Sequence, residues 1–407
     1  LQDNNQSYFN KTFFILSLGY LIDYFDLTLF AVIRNSALSA IGVSEADMLS
    51  TSLLMFNLQA LGCVIGGVIF GIWGDKYGRI SAVRAGILLY SIANLANIFV
   101  TNVPAFGLMR FLAGVGLAAE LAASITLLSE IYSKEKRGIA SGILYSFGIL
   151  GGILATFVGS HLHWQQVFLI GGISGIILLC LRFAFVDSKI FIDLTKNKET
   201  PRGSLKLMFL KKESFKKLVC LTLGVFPFWF VAFTVNFSPE IAKRSLYPFT
   251  PSQSISLAFF FVGSLIGALF FPFLSKFFKS RKKSIFIALF LMLSAFSTFA
   301  LPNFMQLEIF YSVLFIGGFT NGYLGIYLLF CAEVFGTNQR VTATSLISNI
   351  SRGSLILSNL LVPFVATFFY KMGTGVALCA AFFFLLGIIP IFVIKDTFNK
   401  NINFIEK

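Results

Sequence analysis

Apolar runs long enough to cross a bilayer recur twelve times along this chain, and no other feature constrains its fold as strongly. They fall near residues 12–36, 49–73, 81–101, 104–129, 138–160 and 165–186, then near 216–238, 253–275, 284–301, 304–331, 341–369 and 373–395. A hydrocarbon core of about 30 Å takes about 20 apolar residues in a helix, so each run reads as one spanning helix. The chain is 57% hydrophobic and 12% charged, whereas a soluble domain has about 25% charged residues. The expected fold is therefore an all-α membrane protein of twelve transmembrane helices in two six-helix bundles. Domain limits are expected at 1–186 for the first bundle, 187–215 for a polar cytoplasmic linker, and 216–407 for the second bundle with a short tail.

The formal charge of +14 is not a nucleic-acid surface, because the charges are sorted by side. Most of the 32 Lys and Arg lie in loops on the side of the N-terminus, while the loops on the other side hold Lys243, Arg244 and Lys371. By the positive-inside rule both termini are expected in the cytoplasm, and the chain in a cell inner membrane. The five cysteines are scattered through apolar runs without a C-x-x-C pair, so neither a disulfide framework nor a metal cluster is expected. His161 and His163 flank an outer loop and read as a solvated turn, so no metal site is expected there. The first apolar run is long, carries acids and is followed by further spans, unlike a cleaved signal peptide. The sequence begins at Leu1, so a start residue or short leader is expected before it.

The two halves are related by an internal repeat. Glu130 and Glu333, and likewise Arg137 and Arg340, are both 203 residues apart, each pair following the fourth span of its half. At the same offset the loop 74–79 falls on 277–282. A duplicated chain with its site between the copies is a transporter plan.

Charges inside the spans mark the candidate site. A charge at bilayer depth costs about 2.5–3.5 kcal/mol on insertion scales, so it faces a protein interior or a wet cavity. Arg110 and Glu120 lie about 15 Å apart along one helix, on the same side of it. Asp23 and Asp26 share a face of the first span. Asp26 sits about 20 Å in and Arg110 about 10 Å from the far side, so their depths match and an Asp26–Arg110 pair is expected. Separating such a pair in a low-dielectric site would load the carboxylate with a proton and re-forming it would expel one. Asp23 and Glu120 are candidate relays. Arg352 is the only charge in the eleventh run, with Asn349 and Asn359 nearby, and a lone midplane Arg is a natural carboxylate fork. Gln59, Asn236, Asn321, Tyr323 and Tyr327 are expected to line the same cavity, and Asn57 is a further candidate. Arg34, at the outer end of the first span, is expected to snorkel to the interface.

The turn between the second and third spans reads Gly71-Ile-Trp-Gly-Asp75-Lys-Tyr-Gly78-Arg79. Gly71, Asp75, Gly78 and Arg79 resemble the G-x-x-x-D-x-x-G-R signature of the major facilitator superfamily. With twelve spans and the repeated Glu-x6-Arg, the resemblance covers nearly the whole chain. It implies that these residues latch the halves on the cytoplasmic side, with Glu130, Arg137, Glu333 and Arg340 as the accompanying charges. The second copy of the loop lacks the Asp and the glycines, so a weaker latch is expected there. Asp23, Asp26, Arg110 and Glu120 are similar to the E-x-x-D and Arg…Gly-Glu pattern of the metabolite:proton symporter branch, with Asp23 for Glu and Ala119 for Gly. That branch carries small organic acids, amino acids and betaines.

These features define the expected function as proton-coupled symport of a small carboxylate-bearing metabolite, such as an organic acid or amino acid, by alternating access. The partners expected are an anionic or zwitterionic small molecule, protons and the bilayer, with no nucleic acid, and the chain is expected to be a monomer. No nucleophile–base set and no G-x-x-x-x-G-K-[ST] loop occurs, so an enzyme is not expected, and a proton gradient rather than a cofactor or ATP is the expected driver. A channel is the rival class, and the duplicated latch loops favour alternating access. The alternative within transporters is a proton-driven exporter of a siderophore-like or drug-like anion. The fifth span, with Gly148, Gly151 and Gly152 but no Gly-Pro near its end, argues against it.

Overall fold

The computed structural model describes residues 11–120, 124, 127, 128, 132, 136–183 and 209–398. The first bundle contains α1 (Lys11–Ala40), α2 (Met48–Tyr77), α3 (Arg79–Asn97), α4 (Val103–Leu117), α5 (Arg137–His161) and α6 (Trp164–Arg182). The second contains α7 (Lys212–Leu223), α8 (Phe226–Asn236), α9 (Ser238–Arg244), α10 (Gln253–Phe277), α11 (Arg281–Ser297), α12 (Leu307–Asn321), α13 (Leu324–Val334), α14 (Arg340–Ile350), α15 (Gly353–Phe369) and α16 (Met372–Val393).

Ten helical segments among the described residues are long and apolar enough to span a membrane. The shorter α4 and the 19-residue α3, which is richer in Asn, Ser and Arg, complete the twelve. Helix α7 begins at Lys212, four residues before the expected start of the second bundle. Residues 187–208 of the expected linker lie outside the described residues.

Three spans of the second bundle are interrupted, which the uniform apolar runs did not announce. Pro227 stands in the first turn of α8 and Pro239 in the first turn of α9. Proline has no N–H to continue a helical ladder, so the seventh span breaks into three pieces. The tenth span breaks at Gly322 and Tyr323, where a Cβ on Gly322 would collide with the Gly267–Ala268 backbone. The eleventh breaks between Ile350 and Gly353, leaving Ser351 and Arg352 in the gap.

Packing repeats between the halves. Helix α2 lies against α4 and, six spans later, α10 lies against α12; α3 with α6 corresponds to α11 with α16. Gly114 makes the first of these contacts possible, since a side chain there would strike the Gln59 carbonyl on α2. Small residues at helix crossings let apolar helices approach in a medium where burial alone gives no preference for protein over lipid. The bundles meet through α2 with α14 and α15, and through α5 with α10 and α13.

Candidate functional site

A cavity of about 90 Å³ lies between the bundles. The first bundle contributes Tyr24, Thr28, Gln59 and Cys63, and the second contributes Trp229, Asn236 and Arg352. Phe56, Phe228, Phe260 and Phe261 make the rest of the wall largely aromatic. Arg352 reaches the cavity because it sits in the break of the eleventh span. It is 5% exposed. Its Nη1 lies 2.8 Å from Cys63 Sγ, its guanidinium is 5.4 Å from the Trp229 ring, and its Nε has no hydrogen-bond acceptor among the described residues. Trp229 is held by a bond from its Nε1 to Ser351 Oγ at 3.1 Å. Gln59 Nε2, on the opposite wall, is also buried without an acceptor among the described residues. Arg352, Gln59 and Asn236 are thus where the sequence reading expected them.

The other expected lining residues are not in the cavity wall. Tyr323 and Tyr327 donate to the carbonyls of Gly224 at 3.1 Å and Leu221 at 2.8 Å. Asn321 donates to Phe228 O at 3.3 Å. These carbonyls flank the interruption in the seventh span, where intrahelical donors are missing, and a buried unpaired carbonyl is costly. Asn349 donates to Ala118 O at 3.1 Å, across the bundles, and belongs to a seal rather than a pocket. Cys63, one of the five scattered cysteines, contacts Arg352 across 289 residues of sequence.

The expected direct pair of Asp26 and Arg110 is replaced by a bridge. Asn94 Nδ2 donates to Asp26 Oδ1 at 2.5 Å, and Arg110 Nη2 donates to Asn94 Oδ1 at 2.7 Å. With its amide oriented to fit, Asn97 accepts from Arg110 Nη2 at 2.6 Å and Nε at 3.1 Å. Arg110 also stacks 4.7 Å over the Phe168 ring. All four polar residues are fully buried. Two asparagines three apart in the third span were the available signal for this bridge, since that spacing places both on one face.

Glu120 is taken by Arg182, whose Nη2 donates to Glu120 Oε1, and Ser124 Oγ donates to the same oxygen at 2.9 Å. Gly19 leaves room for that ion pair on α1. Asp23 Oδ1 is buried and accepts no hydrogen bond from the described residues.

Polar contacts join the bundles on both sides of the cavity. Toward the basic loops, Asp75 Oδ2 accepts from Thr342 N at 2.7 Å and from Thr342 Oγ1 at 2.5 Å, at the first turn of α14. Thr342 Oγ1 lies 3.1 Å from Gly71 O, and Ser345 Oγ donates to Gly67 O at 2.9 Å. Gly78 has φ 107°, a left-handed value that favours glycine and turns α2 into α3, while Arg79 is buried. Of the other expected latch charges, Glu333 receives Arg281 at 3.2 Å, and Arg340 donates to Ala332 O at 3.0 Å. Glu130 lies outside the described residues, as does the side chain of Arg137.

At the opposite end, Arg34 is 2% exposed and donates to Glu240 on α9 at 2.6 Å. The expectation of a lipid-interface snorkeller is therefore corrected. Arg34 also stacks 4.8 Å over Phe237, whose ring meets Phe56 at 5.7 Å. Asn359 Nδ2 donates to Asn57 Oδ1 at 2.5 Å beside them, so these two asparagines join the halves.

The loop expected to latch weakly is reinforced from elsewhere in the chain. Asp396 accepts from Ser280 Oγ at 2.5 Å and from the backbone N–H groups of Arg281, Lys282 and Phe398. Thr397 Oγ1 donates to Glu333 at 2.5 Å, and Phe398 packs on Arg281. The expected plain tail is, up to Phe398, docked onto the second bundle.

Two helical bundles around a largely aromatic cavity, joined by polar contacts on either side of it, form a membrane transporter rather than an enzyme. The family model described as Major Facilitator Superfamily matches residues 16–358, and the chain belongs to that superfamily. It is 25% identical to the sialic acid transporter NanX of Escherichia coli strain K12, over 90% of this chain and 89% of that protein. It is 26% identical to the cis,cis-muconate transport protein of Acinetobacter baylyi, over 94% of each. The benzoate transport protein of the same organism is 22% identical over 97% of this chain and 92% of its own length. Among solved structures, the MFS proton:xylose symporter XylE bound to 6-bromo-6-deoxy-D-glucose superposes with a TM-score of 0.77 at 15% identity, covering 96% of this chain and 97% of that one. That likeness establishes the fold.

Proposed function

We propose that this protein is a proton-coupled symporter that brings a small carboxylate-bearing metabolite across a cell inner membrane. The observation that carries the reading is Arg352, a buried guanidinium in the cavity wall that no carboxylate bonds among the described residues. A buried cation with no acid bonded to it directly is costly, even with the Asp23 carboxylate within electrostatic reach, and an arriving carboxylate would replace the weak thiol acceptor with a charge-assisted fork. The aromatic wall suits the apolar body of an organic acid, and relatives named for muconate, benzoate and sialic acid support a carboxylate. Bound substrate widens the cavity in this reading, since about 150 Å³ is the scale that holds benzene.

Asp26 is the proposed proton carrier. Burial favours the protonated carboxyl and a nearby guanidinium favours the ionised one. Asn94 transmits Arg110 to Asp26, so a rotation of this one amide switches the coupling. Asp23 and Glu120 are ranked as relays. With the basic loops in the cytoplasm, the Asp75–Thr342 contact is the inner latch and both termini are cytoplasmic.

Counterflow of labelled benzoate, muconate, sialic acid and an amino-acid panel into proteoliposomes tests the reading. At least one carboxylate should exchange, and Arg352→Lys should weaken it about 10–100-fold, the scale of a lost charged hydrogen bond of about 1.5–3 kcal/mol. Carboxamide analogues should not distinguish the two proteins. Unchanged affinity of the variant for every transported anion would return Arg352 to a structural role.

A further inference from the structure

A groove of about 640 Å³ opens on the lipid-facing side between the first turns of α11 and the last turn of α16, at the end that carries the basic loops. Lys282, Lys283, Phe278, Phe286, Phe392 and Asp396 line it. Lys283 is exposed and Lys282 half-buried, and neither has an ion-pair partner among the described residues. The Lys283 ammonium lies 5.8 Å over the Phe278 ring, which holds it at the mouth of the groove. Below the lysines, Phe286 and Phe290 stand one helical turn apart, stacked at 6.4 Å and 39% and 54% exposed. Phe392 faces them from α16 and is 74% exposed.

The acid in the groove does not neutralise these lysines by direct contact. Both Asp396 oxygens are turned to Ser280 Oγ and to the N–H groups that open α11. What is left is a pair of ammonium groups at the membrane boundary, above an aromatic strip that runs toward the bilayer centre. A soluble anion would use the lysines and leave the phenylalanines idle, whereas a phospholipid matches both parts.

We propose that this groove is a binding site for an anionic phospholipid. Its phosphate sits between Lys282 and Lys283 and one acyl chain lies along Phe286, Phe290 and Phe392. The positive-inside rule places the site in the cytoplasmic leaflet. A basic side chain at such a surface gives about a fivefold preference for an anionic lipid, so the pair gives about 25-fold.

Native mass spectrometry of the full chain, released from detergent, with phosphatidylglycerol, phosphatidylcholine of the same chains, and glycerol phosphate tests the proposal. Phosphatidylglycerol should be retained about 25-fold better than phosphatidylcholine. The variant K282Q/K283Q, altered only at accessible side chains, should lose that preference while binding phosphatidylcholine as before. F286A/F392A should weaken both lipids. Equal retention of the two lipids by the wild type, or an undiminished preference in K282Q/K283Q, overturns the site. Competition by glycerol phosphate at the same concentration as the lipid overturns it in favour of a free-anion site.

Discussion

Arg34 on α1 donates to Glu240 on α9 at 2.6 Å and so ties the first bundle to the second on the side away from the basic loops. Asp75 makes the counterpart bond to Thr342 on the other side. Between these two contacts lies the cavity that holds Arg352, and in the proposed transport cycle they break in turn. Arg34→Gln should shift the population toward opening at the Glu240 end by about tenfold, equivalent to about 1.4 kcal/mol. Spin-label distances between the outer ends of α1 and α9 report it. The charge-swapped R34E/E240R should restore the wild-type distribution, and failure of both would leave the pair without a gating role.

Asp75→Asn keeps an acceptor for Thr342 but loses the charge. A charge-assisted bond exceeds a neutral one by about 1 kcal/mol. The basic-loop side should therefore open about fivefold more often, seen as a longer distance between labels at the ends of α2 and α14. An unchanged distribution removes Asp75 from the latch.

Asp26→Asn tests the coupling. The variant should still exchange substrate across the membrane, which needs no net proton movement, and should no longer accumulate it against a gradient when a pH difference is imposed. Proteoliposomes of the variant that concentrate substrate as the wild type does would sink the assignment. Asn94→Leu, which removes the bridge to Arg110, should also uncouple accumulation from pH while leaving the carboxyl in place.

Asp396 makes a prediction about acid stability. Burial alone would raise its pKa, but the bonds from Ser280 and from the N–H groups of Phe398, Arg281 and Lys282 outweigh it and hold the carboxyl below its ordinary value. A group depressed in the folded state stabilises above its unfolded pKa, near 4, and loses that contribution as pH falls through the folded value. Asp396 is exposed, so Asp396→Ala should cost about 0.5 kcal/mol at neutral pH, the low end of the helix-cap scale once solvent screening is counted. Thermal unfolding in detergent should show this gap constant from pH 8 to about 5 and shrinking below about 4. A gap that persists in acid would mean that the contribution is packing by the tail and not the charge.

The number of spans, the two-fold repeat and the placing of charges within the spans were legible in the sequence. Hydropathy and helical rise are local properties, so the positions of Asp26, Arg110 and Arg352 along their runs could be read directly. The turn after α2 was legible too, because the chain reverses there through Gly78, whose φ of 107° needs a glycine. What the residues touch was not legible. Asn94 inserts itself between Asp26 and Arg110, Tyr323 and Tyr327 turn to the broken seventh span, and Arg34 finds Glu240. Each of these outcomes follows from where a helix is interrupted or crossed, and the prolines and glycines responsible act on partners far away in the chain.

The sequence by itself determined a duplicated twelve-span membrane chain with its charges drawn inward, because burying a long apolar segment in lipid leaves a helix as its only fully bonded form. Only the tertiary structure decided which partner each charge meets. Asp75 and Thr342 are 267 residues apart and Arg352 and Cys63 are 289 apart. Those contacts depend on the docking of one bundle on the other, a geometry set by helix crossings and breaks that no single stretch of sequence contains.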